Sequence, residues 1–312
     1  MSRFRSLAPL FALAACSSAK PVSDAGSPPA HLALPGDTYY PESVTGTADG
    51  ALYVGSFGTG AVGRFAPDAT SATTFIAPSA DVPRALGVLA DEAGHALWLC
   101  ADDTSTTNPI PPSVRRYDLT TGAFVAGYHF PAPAFCNDLA LDGHHNLYIS
   151  DSLGSIYRLA DGADHLTQWS HDAALAPLTA SGFGANGIAW DGATGLYATN
   201  FEANQIVHLA ITADGSAGPA TALTVSTPLS GPDAVRLLDA HTLLVVEQAG
   251  GKLTQIALPD GTASPLATGL AAPTSVTVHA STAWVTEGQL GHILGTVPGP
   301  PTLPFDLARV AL

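Results

Sequence analysis

Four oxygen-bearing side chains, Glu42, Asn137, Asn186 and Asp233, each head a copy of the same short phrase. Eleven residues after each head comes the second member of a closing pair: Leu52-Tyr53, Leu147-Tyr148, Leu196-Tyr197 and Leu243-Leu244. A repeat puts equivalent residues at equivalent places. If the copies are arranged around an axis, one Glu, two Asn and one Asp point at the same spot. Carboxylates together with amide carbonyls suit Ca²⁺, which takes about six to eight oxygens in loose geometry, water or substrate completing the shell. Zn²⁺ prefers nitrogen and sulfur in a tetrahedron and is the less natural occupant. Zn²⁺, Mg²⁺ and Mn²⁺ stay open. Taken singly, each head has a plainer reading: Asn-Asp and Asn-Gly form turns, and Glu42 and Asp233 each follow a proline. Their shared phase is what argues for a site.

The elements that must position these heads follow from the rest of each copy. The heads fall 95, 49 and 47 residues apart. The long first gap holds a further copy, Leu86-Gly-Val to Leu97-Trp98, and a sixth runs from Thr274-Ser275-Val to Ala283-Trp284. Alternation of period two, broken at Asp49-Gly50, Asp142-Gly143 and Asp191-Gly192, predicts β-hairpins. Third strands are expected at Gly63-Arg-Phe, Val114-Arg-Arg-Tyr, Ser155-Ile-Tyr, Gln205-Ile-Val, Lys252-Leu-Thr and His292-Ile-Leu, and fourth strands beyond turns such as Asp260-Gly261. One four-stranded sheet cannot bury both faces, but six packed around an axis can. The expectation is an all-β fold, a six-bladed β-propeller over residues 31–312, closed by residues 31–34 and 305–311. A β-sandwich would not need its polar residues in phase. No helical stretch is predicted after the leader.

Composition agrees: 46% of the 312 residues are hydrophobic, only 12% are charged, and 31 Gly with 25 Pro supply turns in place of charged surface helices. Arg3 and Arg5, an apolar run over residues 7–15 and Leu13-Ala14-Ala15-Cys16 look like a bacterial lipobox. Residues 1–15 then form a lipoprotein signal peptide too short to span a bilayer as a helix, and Cys16 is the lipidated residue. Residues 16–30, rich in Ser, Ala, Pro and Gly, read as a flexible tether. The expected location is exported, at the periplasmic face or cell surface, with membrane contact only through the anchor. Without Arg3 and Arg5, nine basic residues face 26 acidic ones, which disfavours nucleic acid as a partner. A monomer is expected. An exported compartment permits a Cys100–Cys136 disulfide, and spacing alone leaves the pair open. Gly-x-Ser-x-Gly, His-Glu-x-x-His and P-loop motifs are absent, and His144-His145 falls at the far turn of its hairpin.

The stretches Pro41-Glu42, Asn137-Asp138, Asn186-Gly187-Ile188 and Pro232-Asp233 make the chain resemble the regucalcin/gluconolactonase family, and more loosely the related diisopropyl-fluorophosphatase and paraoxonase propellers. The likeness spans roughly residues 35–295 as short motifs. It implies a divalent metal on the axis, held by Glu42, Asn137, Asn186 and Asp233, that serves hydrolysis of a lactone or related ester. It also implies Asp233 as general base or water-positioning group. Ser43-Val44 stands where the family commonly has Gly-Pro, and Ala134-Phe135-Cys136 where it has an Arg; both departures point to a more apolar pocket. The ends of the second strands are expected to rim that pocket: Ser56 and Phe57, Asp102, Asp151, Asn200 and Phe201, Glu247 and Glu287. Ser275 joins them as an alternative head. Arg84 is expected near the metal, either anchoring a substrate oxygen or pairing with a rim acid. The resulting expectation is an exported, metal-dependent hydrolase of a small-molecule lactone or ester. The alternative is a non-catalytic, lipid-anchored binding or scaffold propeller whose calcium locks the blades.

Overall fold

In five of the six blades the hairpin is set by an aspartate at or just past the end of the inner strand. Asp49, Asp91, Asp142, Asp191 and Asp239 each accept a backbone N–H two or three residues further on, from Ala51, Gly94, His144, Ala193 and His241. Such turns mimic a backbone turn and favour Asp and Asn. Gly50 and Gly192 then take φ of 91° and 79°, a region that costs other residues a steric clash. The alternating strands on either side pair antiparallel in the register these turns impose.

The computed structural model describes residues 31–312. The expected signal peptide, lipidation at Cys16 and tether lie outside the described residues. Six four-stranded antiparallel sheets are arranged as blades. Their innermost strands are Pro41–Gly46, Arg84–Asp91, Cys136–Leu141, Ala185–Trp190, Pro232–Asp239 and Val276–His279. The inner strand of each blade touches that of the next, and the sixth returns to the first, which closes the ring. The fold is a six-bladed β-propeller. Its core lies between blades: Ala140, Tyr148 and Ile156 of blade three pack on Ile188, Leu196 and Val207 of blade four.

Closure uses both ends of the chain. His31–Ala33 is the outermost strand of blade six, bonded to Asp306–Ala311, which pairs with Thr282–Thr286. The strand expected at His292-Ile-Leu does not form. Residues Leu290–Ile293 make one helical turn instead, within an excursion from Gly288 to Phe305 that carries four prolines and four glycines. Proline cannot donate to a ladder, so the third strand is left to the C-terminus. A 3₁₀ turn at Ala173–Leu175 is the other helical departure from an all-strand reading. Cys100 and Cys136 form a disulfide, Cα atoms 5.4 Å apart, joining blade two to blade three. Among the described residues, no helix is long and apolar enough to cross a membrane.

Candidate functional site

In five blades the ladder between first and second strands slips at the head residue. The shifts fall between Pro41 and Ser43, Ala85 and Val88, Cys136 and Leu139, Ala185 and Ile188, and Pro232 and Val235. A bulge leaves a residue unpaired and re-aims its side chain. Glu42, Leu86, Asn137, Asn186 and Asp233 are therefore free of the sheet pattern and all line one cavity. Hydroxyls hold the heads from the neighbouring blade. Ser150 Oγ donates to Asn186 O, Thr199 Oγ1 donates to Asp233 O at 2.6 Å, and Thr286 Oγ1 to Glu42 O at 3.5 Å. Gly55 occupies the equivalent place in blade one, where a Cβ would lie 2.8 Å from Leu86 O.

The cavity has a volume of ≈ 280 Å³. Its polar floor is Glu42, Asn137, Asn186, Asp233 and Gln248. Phe57, Leu86, Phe135, Phe183, Phe201, Leu290 and Leu294 make the walls, and Gly291, Thr104 and Thr296 complete the lining. Beneath the floor is a second void of ≈ 10 Å³, bounded by the same four heads with Asp138, Thr274 and Ser275. That is room for about one water or one ion.

The electrostatics of the floor are unbalanced. Burial, then the charges of Asp233 and Asp138, push the Glu42 carboxyl well above the ordinary carboxylate range, with Arg236 opposing. Burial and then Asp138 push Asp233 up likewise, against Gln248 and Arg236. Among the described residues the Glu42 carboxylate has no hydrogen-bond donor, and Asp233 Oδ2 has Gln248 Nε2 at 3.0 Å. Asn137 Nδ2 is spent on Ser152 Oγ at 3.0 Å, which leaves its carbonyl oxygen available. Asn186 Oδ1 and Ser275 Oγ are buried with no partner. Buried polar atoms are ordinarily satisfied. Two raised carboxyls, two available amide oxygens and an orphaned hydroxyl around an ion-sized void form a donor set that fits a hard divalent cation.

Deeper in the channel, Arg236 reaches across from blade five. Its Nη1 and Nη2 bond both oxygens of Asp138 at 2.6 and 3.1 Å, and Nη1 also reaches Ile188 O at 3.3 Å. Burial works against this guanidinium's charge, but Asp138, Glu42 and Asp233 together outweigh it and raise the pKa above the ordinary value. A fork of two charge-assisted bonds is the geometry that makes Arg suited to such a buried pair. Sequence reasoning missed Asp138, Arg236 and Gln248. The signal for Arg236 was present: the positions three after the other heads are Thr45, Leu89, Ala140, Ala189 and Thr277, so one lone cation stands in phase inside the channel.

Of the expected rim residues, Phe57 and Phe201 line the cavity, and Ser275 lines the void below it. The others do not, and the reason is the same in each blade. The residue at the end of the second strand ties down the loop that leads into an inner strand. Asp102 accepts from Cys136 N at 3.0 Å, Asp151 from Phe135 N at 2.8 Å, Glu247 from Ser230 N at 2.7 Å and Glu287 from Ala271 N at 2.6 Å. Ser56 Oγ donates to Tyr39 O, and Asn200 donates to Ala174 O and Ala176 O. Burial pushes Asp102 up to about 6, against the N–H groups of Asp103 and Cys136. Arg84 is corrected too. It does not line the cavity: its guanidinium bonds Phe57 O at 2.9 Å and Thr104 Oγ1 at 3.2 Å and stacks on the Phe57 ring at 4.9 Å, supporting two residues that do. His144 and His145 are exposed at the far end.

No protein-family model and no curated protein matches this sequence. Solved structures do. A candidate gluconolactonase aligns over 92% of this chain and 92% of its own at 16% identity, TM-score 0.67. A luciferin-regenerating enzyme aligns over 91% and 95% at 14% identity, TM-score 0.65. Virginiamycin B lyase from Staphylococcus aureus aligns over 91% and 98% at 15% identity, TM-score 0.60. At such identities the likeness is one of fold. The chain shares the propeller architecture of these proteins, and what it does must be argued from its own axial cavity.

Proposed function

We propose that this protein is a divalent-metal-dependent hydrolase of a lactone or related ester, and that the axial cavity is its active site. One observation carries the reading: Glu42 and Asp233, both buried and both pushed up, share an ion-sized void with the orphaned Asn186 oxygen. No cationic side chain stands among these donors, and a bound cation would supply the charge that lets both carboxyls ionise. Glu42, Asn137, Asn186 and Asp233 would hold that cation, Ca²⁺ by preference for their oxygens. When bound, it supplies a Lewis acid for the carbonyl and an acidified water.

The chain's own residues do the rest. Gln248 holds Asp233 Oδ2, which leaves Oδ1 to accept the proton of the attacking water. The water oxygen bonds to the carbonyl carbon as the ring C–O bond breaks. The proton taken by Asp233 passes to the leaving oxygen, and a hydroxy acid is released. The apolar walls keep bulk water from the reacting atoms, which strengthens every charge inside. The lipobox-like leader supports an exported, lipid-anchored setting for this chemistry.

The test is a lactone and ester panel assayed with EDTA and with Ca²⁺, Mg²⁺, Mn²⁺ or Zn²⁺ restored. Turnover should vanish with chelation and return with a metal. Asp233→Asn should lose about 10²- to 10⁴-fold in kcat while its circular dichroism is unchanged. If no ester turns over and EDTA lowers only the Tm, the scaffold alternative replaces this reading.

A further inference from the structure

Charge in the cavity is confined to its floor. Among the described residues, Glu42 and Asp233 are the only ionisable side chains in the lining. Above them the walls are aromatic and aliphatic. The Phe135 and Phe183 rings meet edge to face at 5.3 Å, with Phe57 and Phe201 beside them. The excursion of blade six adds Leu290 and Leu294 to the wall.

Polar side chains around the mouth are already committed. Arg84 serves Phe57 O, Gly58 O and Thr104. Asp102, Asp151, Glu247 and Glu287 serve backbone N–H groups. Even Gln289, at the foot of the blade-six excursion, spends both ends of its amide on the backbone of Thr302, at 2.9 and 2.7 Å. Among the described residues the walls hold two hydroxyls, that of Thr104, which accepts from Arg84 Nε at 3.2 Å, and that of Thr296, which donates to Gly291 O at 3.3 Å, too few for the hydroxyls of a sugar. A polyol carried into these walls would give up more hydrogen bonds to water than it regained. An anionic body would find no cationic side chain in the walls.

We propose that the substrate is a neutral lactone or ester with an apolar, aryl-type body, and that the blade-six excursion is the wall that selects it. This rests on the hydrolase reading above. The carbonyl end reaches the polar floor, and the aryl body packs edge to face against the phenylalanines, the arrangement aromatic pairs prefer. Leu294, 44% exposed at the rim, covers the outer end of that body.

Two measurements test the assignment. Initial rates of the Ca²⁺-supplemented protein are compared on dihydrocoumarin, an aryl lactone, and on glucono-1,5-lactone, a polyol. Dihydrocoumarin should be favoured in kcat/KM by about 10²-fold. Separately, binding of the lactam of dihydrocoumarin, which is not hydrolysed, is measured by calorimetry. Leu294→Asn should weaken lactam binding and lower kcat/KM for dihydrocoumarin, each by about tenfold, with an unchanged circular dichroism spectrum. Faster turnover of the gluconolactone overturns the assignment and leaves the hydrolase reading standing. Absence of turnover on both lactones, with lactam binding that Leu294→Asn weakens, ends the hydrolase reading and keeps the apolar ligand. Failure of the lactam to bind, or binding indifferent to Leu294→Asn, overturns the assignment.

Discussion

Asp233 is asked both to hold a cation and to receive a proton, and Gln248 is the residue that makes the two compatible. Its amide fixes Oδ2 at 3.0 Å and lowers the carboxyl's pKa against burial. Gln248→Ala should therefore do more than loosen a side chain. We expect kcat to fall about 10- to 100-fold with KM nearly unchanged, as a small misplacement of a reacting group does. We also expect the acid limb of the rate–pH profile to move to higher pH, because the bond that lowered the Asp233 pKa is gone. A profile that keeps its position would make Gln248 a packing residue only. Gln248 was not legible in the sequence. It follows the strand-end residue Glu247, and only the fold shows that the chain turns there so that residue 248 faces the axis while 247 faces away.

At the scale of the element, the bulge and the hydroxyl are one device. The bulge frees the head from the ladder, and in three blades a Ser or Thr of the preceding blade's second strand catches its carbonyl. Thr199 also accepts Gly187 N at 2.8 Å, so it satisfies a donor and an acceptor at once. Gly187 is required because a Cβ would lie 2.4 Å from Asp233 O. Thr199→Val keeps the shape and leaves both groups buried without partners. That should cost about 1–3 kcal/mol in a urea titration, and the activity should fall with it through displacement of Asp233. The hairpins were legible in the sequence because Asp-Gly turns and period-two alternation are local chemistry. The bulges were not, since a register slip of one residue depends on what the neighbouring blade offers. That is why rim residues read from strand ends, Asp102, Asp151 and Glu247 among them, proved to be loop ties.

For the whole molecule, the ring gathers three carboxylates near one axis and balances one of them with Arg236. The remaining two make stability depend on pH and metal together. Glu42 and Asp233 have raised folded pKa values, so the folded metal-free protein binds their protons more tightly than the unfolded chain does. Their contribution to stability is then full below the unfolded values, near pH 4, and is lost as pH rises through the raised folded values. A cation that binds the ionised pair reverses the loss by mass action. Thermal melts should show the EDTA-treated protein losing Tm as pH climbs from about 4 toward neutrality, and the increment from added Ca²⁺ growing over the same window. A calcium increment independent of pH would mean that these carboxyls do not hold it. What the sequence determined by itself was periodic: the strands, their turns, the number of blades and the shared phase of Glu42, Asn137, Asn186 and Asp233, because repetition and local turn chemistry are written in order along the chain. The tertiary structure alone decided which side chains the cavity receives. The Arg236–Asp138 pair spans 98 residues, and the walls come from loops of different blades. Such contacts follow from where the closed ring brings distant segments, which no local pattern specifies.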